Sequence, residues 1–564
     1  MRQGRFVPRW FQDYRKDYLP GDITAALVVT LLLVPQGLAY AALAGLPPQL
    51  GLYASLLPLV AYGLLGSSPV LSVGPVAVIS LMVASALSGV GPPGSPEHIA
   101  GAIGLALISG VFLILFGVAR LGALAHFLSH PVISGFVTGS ALLIIAGQLR
   151  PLLGISVQGD TAVTLVVALA ERIGDYHGLT ASLGLASLAI LWFGRQRLSS
   201  LLIALGIASH YAFLISKLTP MVVVLAATVA TGQFGWQGSV DVVGPLPSGL
   251  PTLVVPEFDL ELFGTLWLPA LAIGLIGFVE SVSIAQAFAS QSRQKLDNNA
   301  ELVGLGAANI LSGLSGAFPV TGGFSRTAVN AEAGARSPLA SLIAAALMAC
   351  VLLFATGLFE SLPMTVLAAT IIAAAWSLID IKSLAHNWRY DRAEGFAQAG
   401  TALGVVLAGI EAGIAIGVFL SLATLVWRAS RPHMAIVGRV PGTEHFRNIK
   451  HYDVETSPQV LIIRIDENLF FGNAEAVEDF VRKAMDQSAG VRHLVLVMSS
   501  VSSIDATALE MLDLLNSDLS QRDIGFHLAE VKGPVIAQLR HDNFHKRLHG
   551  DIFLSTFEAS SSLS

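Results

Sequence analysis

The stretch Phe318-Pro319-Val320-Thr321-Gly322-Gly323-Phe324-Ser325-Arg326 lies deep inside an apolar region of the sequence. Its extended residues and paired glycines predict a chain that breaks at Gly322 and Gly323 and then begins a short helix at about Ser325. The first N–H groups of such a helix have no intrahelical partner, and its start carries roughly half a positive charge. The stretch therefore predicts a half-helix whose electropositive start lies within the apolar region.

A second stretch, residues 70–80, repeats this plan much earlier in the chain. A short β-prone run meets Gly74-Pro75, and a helix is expected only after Pro75, because the N–H that proline lacks is not needed at a helix start. Broken helices in corresponding positions of two halves are typical of a transporter's substrate site. Two such starts that face one pocket would attract an anion.

The composition is that of a membrane protein. Of the 564 residues, 54% are apolar and only 12% are charged, and the formal net charge of −6 argues against a nucleic-acid partner. Long apolar runs continue to about residue 427, and ordinary soluble sequence follows residue 431. The basic N-terminus lacks the short apolar stretch and cleavage site of a signal peptide, so the first apolar segment is predicted to stay as a membrane helix.

The apolar runs predict fourteen membrane segments. Several are shorter than the roughly 20 residues that a hydrocarbon core of ~30 Å requires. The predicted fold class is therefore a polytopic α-helical membrane protein, to which a small α/β domain is attached. The segments are 23–43, 50–66, 75–90, 99–119, 131–149, 179–194, 219–232, 262–289, 301–317, 325–335, 338–358, 362–379, 395–409 and 411–428.

Lysines and arginines in short loops set the predicted orientation. Basic clusters at 195–197, 293–295, 382–392 and 428–431 share one side with the basic N-terminus, whereas loops 91–98 and 232–261 contain neither residue type. We therefore predict that both termini are cytoplasmic and that the chain lies in the inner or plasma membrane of a cell. The stretch 198–218 is apolar enough to be a further span, which would reverse this sidedness; we interpret it as interfacial or as part of a bent helix.

Two ionisable residues lie deep in the predicted membrane segments. A buried Arg326 costs roughly 2.5–3.5 kcal/mol on insertion scales, so it should face the bundle interior, with an anion as its natural partner. The alternative interpretation of Arg326 is that it forms a structural ion pair or lies at the cytoplasmic end of its segment. Protonating a carboxyl group at pH 7 costs roughly 3.7 kcal/mol, close to the cost of burying its charge, which favours Glu280 as a proton carrier. The alternative for Glu280 is a permanent ion pair with Arg326.

Several motifs carry a family resemblance: Pro35-Gln36-Gly37-Leu38-Ala39-Tyr40-Ala41, Gly51-Leu52-Tyr53, Gly74-Pro75, Asn309, and the run from Gly322 to Asn330. With these residues the chain closely resembles the SulP family over nearly its whole length. That family includes plant and bacterial sulfate permeases, cyanobacterial bicarbonate transporters, mammalian anion exchangers and the motor protein prestin.

The resemblance implies seven-plus-seven inverted repeats, a core domain that moves against a gate domain, and a homodimer. It also implies that the anion lies between the third and tenth segments. Carried over by position, the substrate-binding residues are Gln36, Tyr40, Val76, Ala77, Ser325 and Arg326. The single cysteine excludes a Cys-based metal or redox site, and no catalytic triad, Cys/His zinc spacing or Walker loop appears, so no catalytic residue, cofactor or metal is expected.

Glu280 distinguishes between members of the family. Its position resembles the glutamate of proton-coupled plant sulfate transporters, whereas sodium-coupled bicarbonate members have an aspartate there with a hydroxyl residue one turn later, where this chain has Ile284. Proton symport of sulfate is therefore the favoured hypothesis. An anion exchanger or a bicarbonate or dicarboxylate carrier is the first alternative, and a membrane sensor that does not transport is the second.

Beyond residue 451 the pattern alternates between strands and helices and resembles a STAS domain. We predict an N-terminal segment (1–21), a transport domain (22–430), a linker (431–452) and the STAS domain (453–564). Thr507 matches the phosphoacceptor of related regulatory domains, and the alternative is that Asp505 simply caps a helix.

Two further predictions concern burial. Cys350 is interpreted as a small buried apolar residue. His527, His541, His545 and His549 are expected at the surface.

Overall fold

Helices make up most of the first part of the chain in the computed structural model, which describes residues 9–564 except 13, 124–129, 158, 160, 255–259, 293–295 and 489. The chain divides into two units, residues 1–421 and 422–564. We call them the transport unit and the C-terminal unit. The basic cluster at 293–295 lies outside the described residues. The predicted domain ranges 1–21, 22–430 and 453–564 stay predictions.

In the first half of the transport unit, a long apolar helix follows a short one, and a two-residue strand marks the first break. Its elements are α1 (Arg9–Gln12), α2 (Leu19–Leu43), α3 (Gln49–Tyr53), α4 (Leu57–Leu65), β1 (Val73–Gly74), α5 (Ala77–Ala86), α6 (Pro96–Val118), α7 (His130–Leu153), α8 (Ala162–Glu171), α9 (Gly178–Phe193), α10 (Ser199–Ala204), α11 (Ser209–Lys217) and α12 (Thr219–Gln233).

The second half repeats this order, with its own two-residue strand before a short helix. Its elements are α13 (Leu260–Ser292), α14 (Asn298–Leu314), β2 (Thr321–Gly322), α15 (Phe324–Glu332), α16 (Leu339–Phe354), α17 (Met364–Trp376), α18 (Ile381–Tyr390), α19 (Arg392–Ala408) and α20 (Ile410–Ala429).

Thirteen of the fourteen predicted segments each overlap one α-helix, and the segment 50–66 overlaps both α3 and α4. Among the described residues, seven helices are long and apolar enough to cross a membrane, and a bent pair makes a possible eighth. The short members of the set include α5 and α15, as expected for helices that begin part of the way through a bilayer. The stretch 198–218 makes no separate span: α10 continues α9, and α11 joins α12 at a bend of 44°. It therefore follows the bent-helix interpretation.

Small residues allow the helices of the first unit to pack closely. A Cβ added to Gly110 in α6 would lie 2.7 Å from the carbonyl oxygen of Gly306 in α14, and one added to Gly306 would lie 2.8 Å from that of Gly110. Glycine at both positions thus lets two backbones touch, which is the usual way in which membrane helices associate.

Cys350 is exposed on α16, so the prediction of burial is wrong. An apolar side chain that faces the surface of a membrane unit can be covered by lipid, and burial in protein is then not required.

The C-terminal unit is an α/β domain built on a six-stranded mixed sheet of order β4-β3-β5-β6-β7-β8. Strands β5 to β8 are parallel, whereas β3 pairs antiparallel with both β4 and β5. Its elements are β3 (Met434–Arg439), β4 (Phe446–Asn448), β5 (Val460–Ile465), α21 (Ala474–Asp486), β6 (His493–Val497), α22 (Ala506–Gln521), β7 (Gly525–Ala529), α23 (Gly533–His541), α24 (Phe544–Arg547), β8 (Ile552–Phe553) and α25 (Thr556–Leu563).

Two features of this unit differ from expectation. The segment 431–452, expected as a linker, contains β3 and β4, which belong to the sheet. His527 is buried, with 3% of its surface exposed, so its predicted surface position is wrong. It lies on the inner strand β7, between β6 and β8, where alternate side chains point into a covered face of the sheet.

Candidate anion-binding site

The two half-helices meet through a short pair of antiparallel strands. Val73 pairs with Gly322, and Gly74 pairs with Thr321, across about 250 residues of sequence. Because the strands run in opposite directions, α5 and α15 leave the crossing in opposite directions, and both begin close to it. The two breaks that the sequence predicts are therefore brought together at one place in the transport unit.

Each half-helix begins directly after extended backbone. The residue before α5, Val76, has φ −135° and ψ 142°, and the residue before α15, Gly323, has φ −102° and ψ 125°. Neither start is capped by its own N-cap side chain. The first N–H groups of both helices are therefore available to a ligand, and both helix dipoles favour a negative charge there.

Arg326, in the first turn of α15, is buried, with 2% of its surface exposed. Its Nη1 donates hydrogen bonds to the carbonyl oxygen of Pro75 at 2.6 Å and to Oε1 of Gln36 at 3.3 Å. Both acceptors are neutral. The guanidinium group therefore connects the second half-helix to the first break and to α2, and its charge is not balanced by these contacts.

The other edge of this guanidinium is formed by Nε and Nη2. In the part of the chain that the structure describes, Nε and Nη2 of Arg326 are buried without a hydrogen-bond partner. These two nitrogens form the fork that binds a carboxylate or another oxyanion with two parallel hydrogen bonds. Arg464 in the C-terminal unit uses the same edge to bind Asp466, at 2.6 and 3.0 Å. Among the described residues, no carboxylate is hydrogen-bonded to this fork of Arg326.

The predicted residues of α2 and α13 lie around the same guanidinium. Gln36 and Tyr40 are buried on α2, and both Tyr40 and Glu280 interact electrostatically with Arg326. Glu280 is partly buried on α13, and its Oε2 is enclosed without a hydrogen-bond partner among the described residues. Glu280 makes no hydrogen bond to Arg326 in the structure, so the two charges are neighbours and not a tight ion pair.

The remaining predicted residues lie at the two helix starts. Val76 and Ala77 are buried at the beginning of α5, whereas Ser325 is exposed in the first turn of α15. Thr507 belongs to the other unit, where it is exposed in the first turn of α22. Asp505 caps that helix, because its Oδ1 accepts a hydrogen bond of 2.9 Å from the N–H of Ala508.

Side chains that the sequence analysis did not assign to the site hold β2 in place. Asn309 on α14 donates to the carbonyl oxygen of Val320 at 3.0 Å and accepts from its N–H at 2.9 Å. Ser281, on α13, accepts from the N–H of Gly322 at 2.9 Å and bonds the hydroxyl of Thr321 at 2.7 Å. These contacts supply the backbone partners that a strand of two residues lacks.

A buried carboxylate fixes the segment that leads into β1. Glu301, at the start of α14, accepts hydrogen bonds from the hydroxyls of Tyr62 and Ser67, both at 2.7 Å, and from the N–H groups of Ser67 and Ser68. In the sequence, the only indication of this role is that Glu301 is an acidic residue at the edge of an apolar run. The hydrogen-bond partners of Glu301, more than 230 positions away, could not be predicted from the sequence.

Two family models match this chain. The model of the sulfate permease family matches residues 19–401, and that of the STAS domain matches residues 451–559. Sulfate transporter 4.1, chloroplastic, of Arabidopsis thaliana is 35% identical, covering 96% of this chain and 81% of that protein. A probable sulfate transporter of Mycobacterium tuberculosis is 37% identical, covering 94% and 92% of the two chains.

Solved structures show the same fold. The structure of the murine anion transporter solute carrier 26 family member A9, in its inward-facing state, matches with a TM-score of 0.86 at 22% identity, covering 99% of this chain and 94% of that one. The transmembrane domain of the cyanobacterial bicarbonate transporter BicA matches with a TM-score of 0.61 at 24% identity, covering 71% and 98%. The predicted fold class, a polytopic helical membrane protein with a C-terminal STAS domain, is thereby confirmed.

Proposed function

The chain belongs to the sulfate permease family, and from this premise we propose that it transports sulfate across a membrane together with protons. The observation that carries the proposal is the buried fork of Arg326, which has an unpartnered Nε and Nη2 beside the starts of two half-helices. A tetrahedral oxyanion offers the several acceptor oxygens that such a cluster of N–H donors requires.

Binding follows from the donors around the crossing. The anion would accept two hydrogen bonds from Arg326 and further ones from the first N–H groups of α5 and α15, with Val76, Ala77 and Ser325 nearest to it. Gln36 and Tyr40 would close the site on the side of α2. The helix dipoles and the guanidinium favour a negative charge and oppose a cation, which distinguishes this site from a cation carrier's.

Proton coupling is assigned to Glu280. When sulfate binds beside an ionised Glu280, two negative groups share a site of low dielectric constant, and their repulsion favours a proton on the carboxylate. By linkage, a proton on Glu280 strengthens sulfate binding by the same factor. The complex that moves between the two membrane faces then carries one negative charge fewer. Such a proton would reside on the enclosed Oε2 of Glu280, which has no hydrogen-bond partner among the described residues.

Orientation and assembly complete the proposal. Both termini lie in the cytoplasm, the chain is a multi-pass protein of the plasma or inner membrane, and it works as a homodimer. The C-terminal unit regulates the transport unit, with Thr507 as its candidate phosphorylation site. These four points rest on the loop charges and on the family resemblance.

Uptake of labelled sulfate into proteoliposomes tests the proposal. We expect uptake to accelerate when the outside is made acidic, and Glu280→Gln to abolish that acceleration while sulfate binding persists. Glu360→Gln, which removes an exposed carboxylate, is the matched control and should behave like the wild type. Absence of sulfate uptake would reject the substrate. A gradient effect that survives in Glu280→Gln would reject the coupling.

The same assay separates the alternatives. An anion exchanger would take up sulfate only when a counter-anion is present inside and would ignore the pH gradient. A bicarbonate or dicarboxylate carrier would prefer those anions in competition with sulfate. A sensor would bind an anion without any uptake.

A further inference from the structure

A large polar cavity lies at one end of the transport unit, apart from the half-helix crossing. It has a volume of about 790 Å³ and is lined at the ends of α2, α7 and α8 and at the beginning of α17. Its charged and polar side chains are Gln148, Arg150, Ser156, Glu171 and Arg172. The cavity therefore combines two positive groups with one carboxylate.

The two arginines are exceptional for this end of the unit. If the fourteen predicted segments cross in alternating directions, the loops 43–49, 87–98, 154–177, 233–261 and 355–363 share one end of the unit. Arg172 is the sole lysine or arginine in the sequence of these loops, and Arg150 lies four positions before loop 154–177. Carboxylates are numerous there. An approaching anion therefore meets a negative face on which both positive side chains line one cavity.

Backbone carbonyls hold the two guanidinium groups in place. Arg150 donates from Nη1 to the carbonyl oxygen of Val157 at 2.8 Å and from Nε to that of Gly147 at 3.3 Å. Arg172 donates from Nη1 to the carbonyl oxygen of Ser156 at 3.3 Å. These acceptors are neutral, so the contacts orient both side chains without cancelling their charge.

The cavity adjoins the candidate site through α2. This helix contributes Gln36 and Tyr40 to the site and Ala42, half a turn later, to the cavity wall. Helix α17, which packs against α2, lines the cavity with Leu367 and Ala368. An anion held at Arg150 and Arg172 would thus lie beside the helix that closes the binding site.

We propose that this cavity is a second anion site, an entrance that concentrates the substrate oxyanion at this face before it reaches the half-helix crossing. The proposal rests on the proposed function. Positive side chains in a concave site raise the local concentration and the association rate of an anion, and the effect weakens with ionic strength. The occupant is the small inorganic oxyanion of the proposed function, because two guanidinium groups of uncancelled charge line the cavity.

The test measures the KM for sulfate separately at each face of the membrane, in intact cells and in inside-out vesicles. We expect the double variant Arg150→Gln, Arg172→Gln to raise KM about threefold or more at the cavity's face alone, with the maximal rate unchanged. Glu171→Gln should lower KM at the same face. Both shifts should shrink in 0.5 M of an inert salt, at which the Debye length is roughly half its physiological value or less.

The control variant Arg197→Gln removes an arginine at the opposite end and should leave the KM at the cavity's face unchanged. An unchanged KM in the double variant would overturn the inference while leaving the proposed function intact, provided that the wild type transports sulfate. A KM shift that is equal at both faces, or that is unaffected by salt, would assign the arginines a merely structural role and also overturn it. A shift that disappears without anionic lipid would assign them to lipid headgroups instead.

Discussion

Arg326 and Pro75 are joined by a hydrogen bond of 2.6 Å, from Nη1 of the guanidinium group to the proline carbonyl oxygen. This bond connects the first turn of one half-helix to the break that precedes the other. It fixes the plane of the guanidinium group, so that the Nε–Nη2 edge has a defined direction. Because the guanidinium group is already oriented, it loses less conformational entropy when an anion binds, which favours binding.

Replacement of Arg326 tests the fork. Arg326→Lys keeps a positive charge but loses the two parallel N–H groups, and we expect sulfate affinity to fall about tenfold. Arg326→Ala should lower it about 100-fold, since hydrogen bonds to charged groups contribute roughly 1.5–3 kcal/mol. Binding of labelled sulfate to the purified protein measures both. Because a buried, unbalanced charge is costly, the thermal midpoint should not fall in parallel; a loss of stability without a loss of binding would contradict the assignment.

Gly323 offers a steric test of the same edge. A Cβ at this position would lie 2.9 Å from Nη2 and 3.0 Å from Cζ of Arg326, while the backbone angles of Gly323 are accessible to alanine. We expect Gly323→Ala to displace the guanidinium group and reduce sulfate uptake at least about tenfold with little change in folding. Gly89→Ala, which adds the same methyl group where no atom lies within 4 Å, is the matched control. Equal uptake by the two variants would show that the position of the fork does not matter.

Asn309 is expected to be structural. Its amide satisfies both backbone groups of Val320, and Asn309→Leu would leave both buried and unpaired. We expect a loss of about 1–3 kcal/mol in the free energy of unfolding for each unsatisfied group. Asn309→Asp keeps the acceptor for the N–H of Val320 and should lose less. Thermal unfolding in detergent ranks the variants, and an Asn309→Leu protein as stable as the wild type would rule out this role.

The C-terminal unit should lose stability in acid through His527. Burial, followed by the nearby charge of His493, lowers the pKa of His527 from 6.5 to about 4. Its Nδ1 also accepts a hydrogen bond of 3.0 Å from the N–H of Asp551, which requires the unprotonated atom. Since the folded state disfavours the proton, the stability that this residue provides is complete above about pH 6.5 and declines as the pH falls towards 4.

Hydrogen exchange of the β7 amides in the full chain, corrected for the intrinsic effect of pH, measures this decline. His527→Asn retains an acceptor without the titration and should flatten the profile. His541→Asn, at an exposed position, should leave the profile as it is in the wild type. A profile unchanged in His527→Asn would show that other groups cause the acid sensitivity.

The positions of the two breaks could be predicted from sequence because their causes are local. Proline and glycine restrict or free the backbone wherever they occur, so Gly74-Pro75 and Gly322-Gly323 indicate interruptions without any tertiary information. The depth of Arg326 within an apolar region likewise indicates an interior position. Each of these signals identifies one half of the site, and none of them shows that the two halves meet.

The closure of the site could not be predicted in the same way. The pairing of Gly74 with Thr321 and the bond from Arg326 to Pro75 join residues about 250 positions apart, and no local pattern specifies such partners. The burial of His527 was missed because a histidine in a strand is polar by composition, and its face of the sheet becomes covered only in the fold. Cys350 was misplaced because hydropathy does not distinguish protein interior from lipid.

The most direct measurement is a structure of the purified protein in saturating sulfate. We expect anion density between the starts of α5 and α15, with oxygens about 2.7–3.0 Å from Nε and Nη2 of Arg326, and none in Arg326→Ala. Sulfate bound elsewhere, with the guanidinium fork of Arg326 paired to a carboxylate of the protein, would refute this binding site.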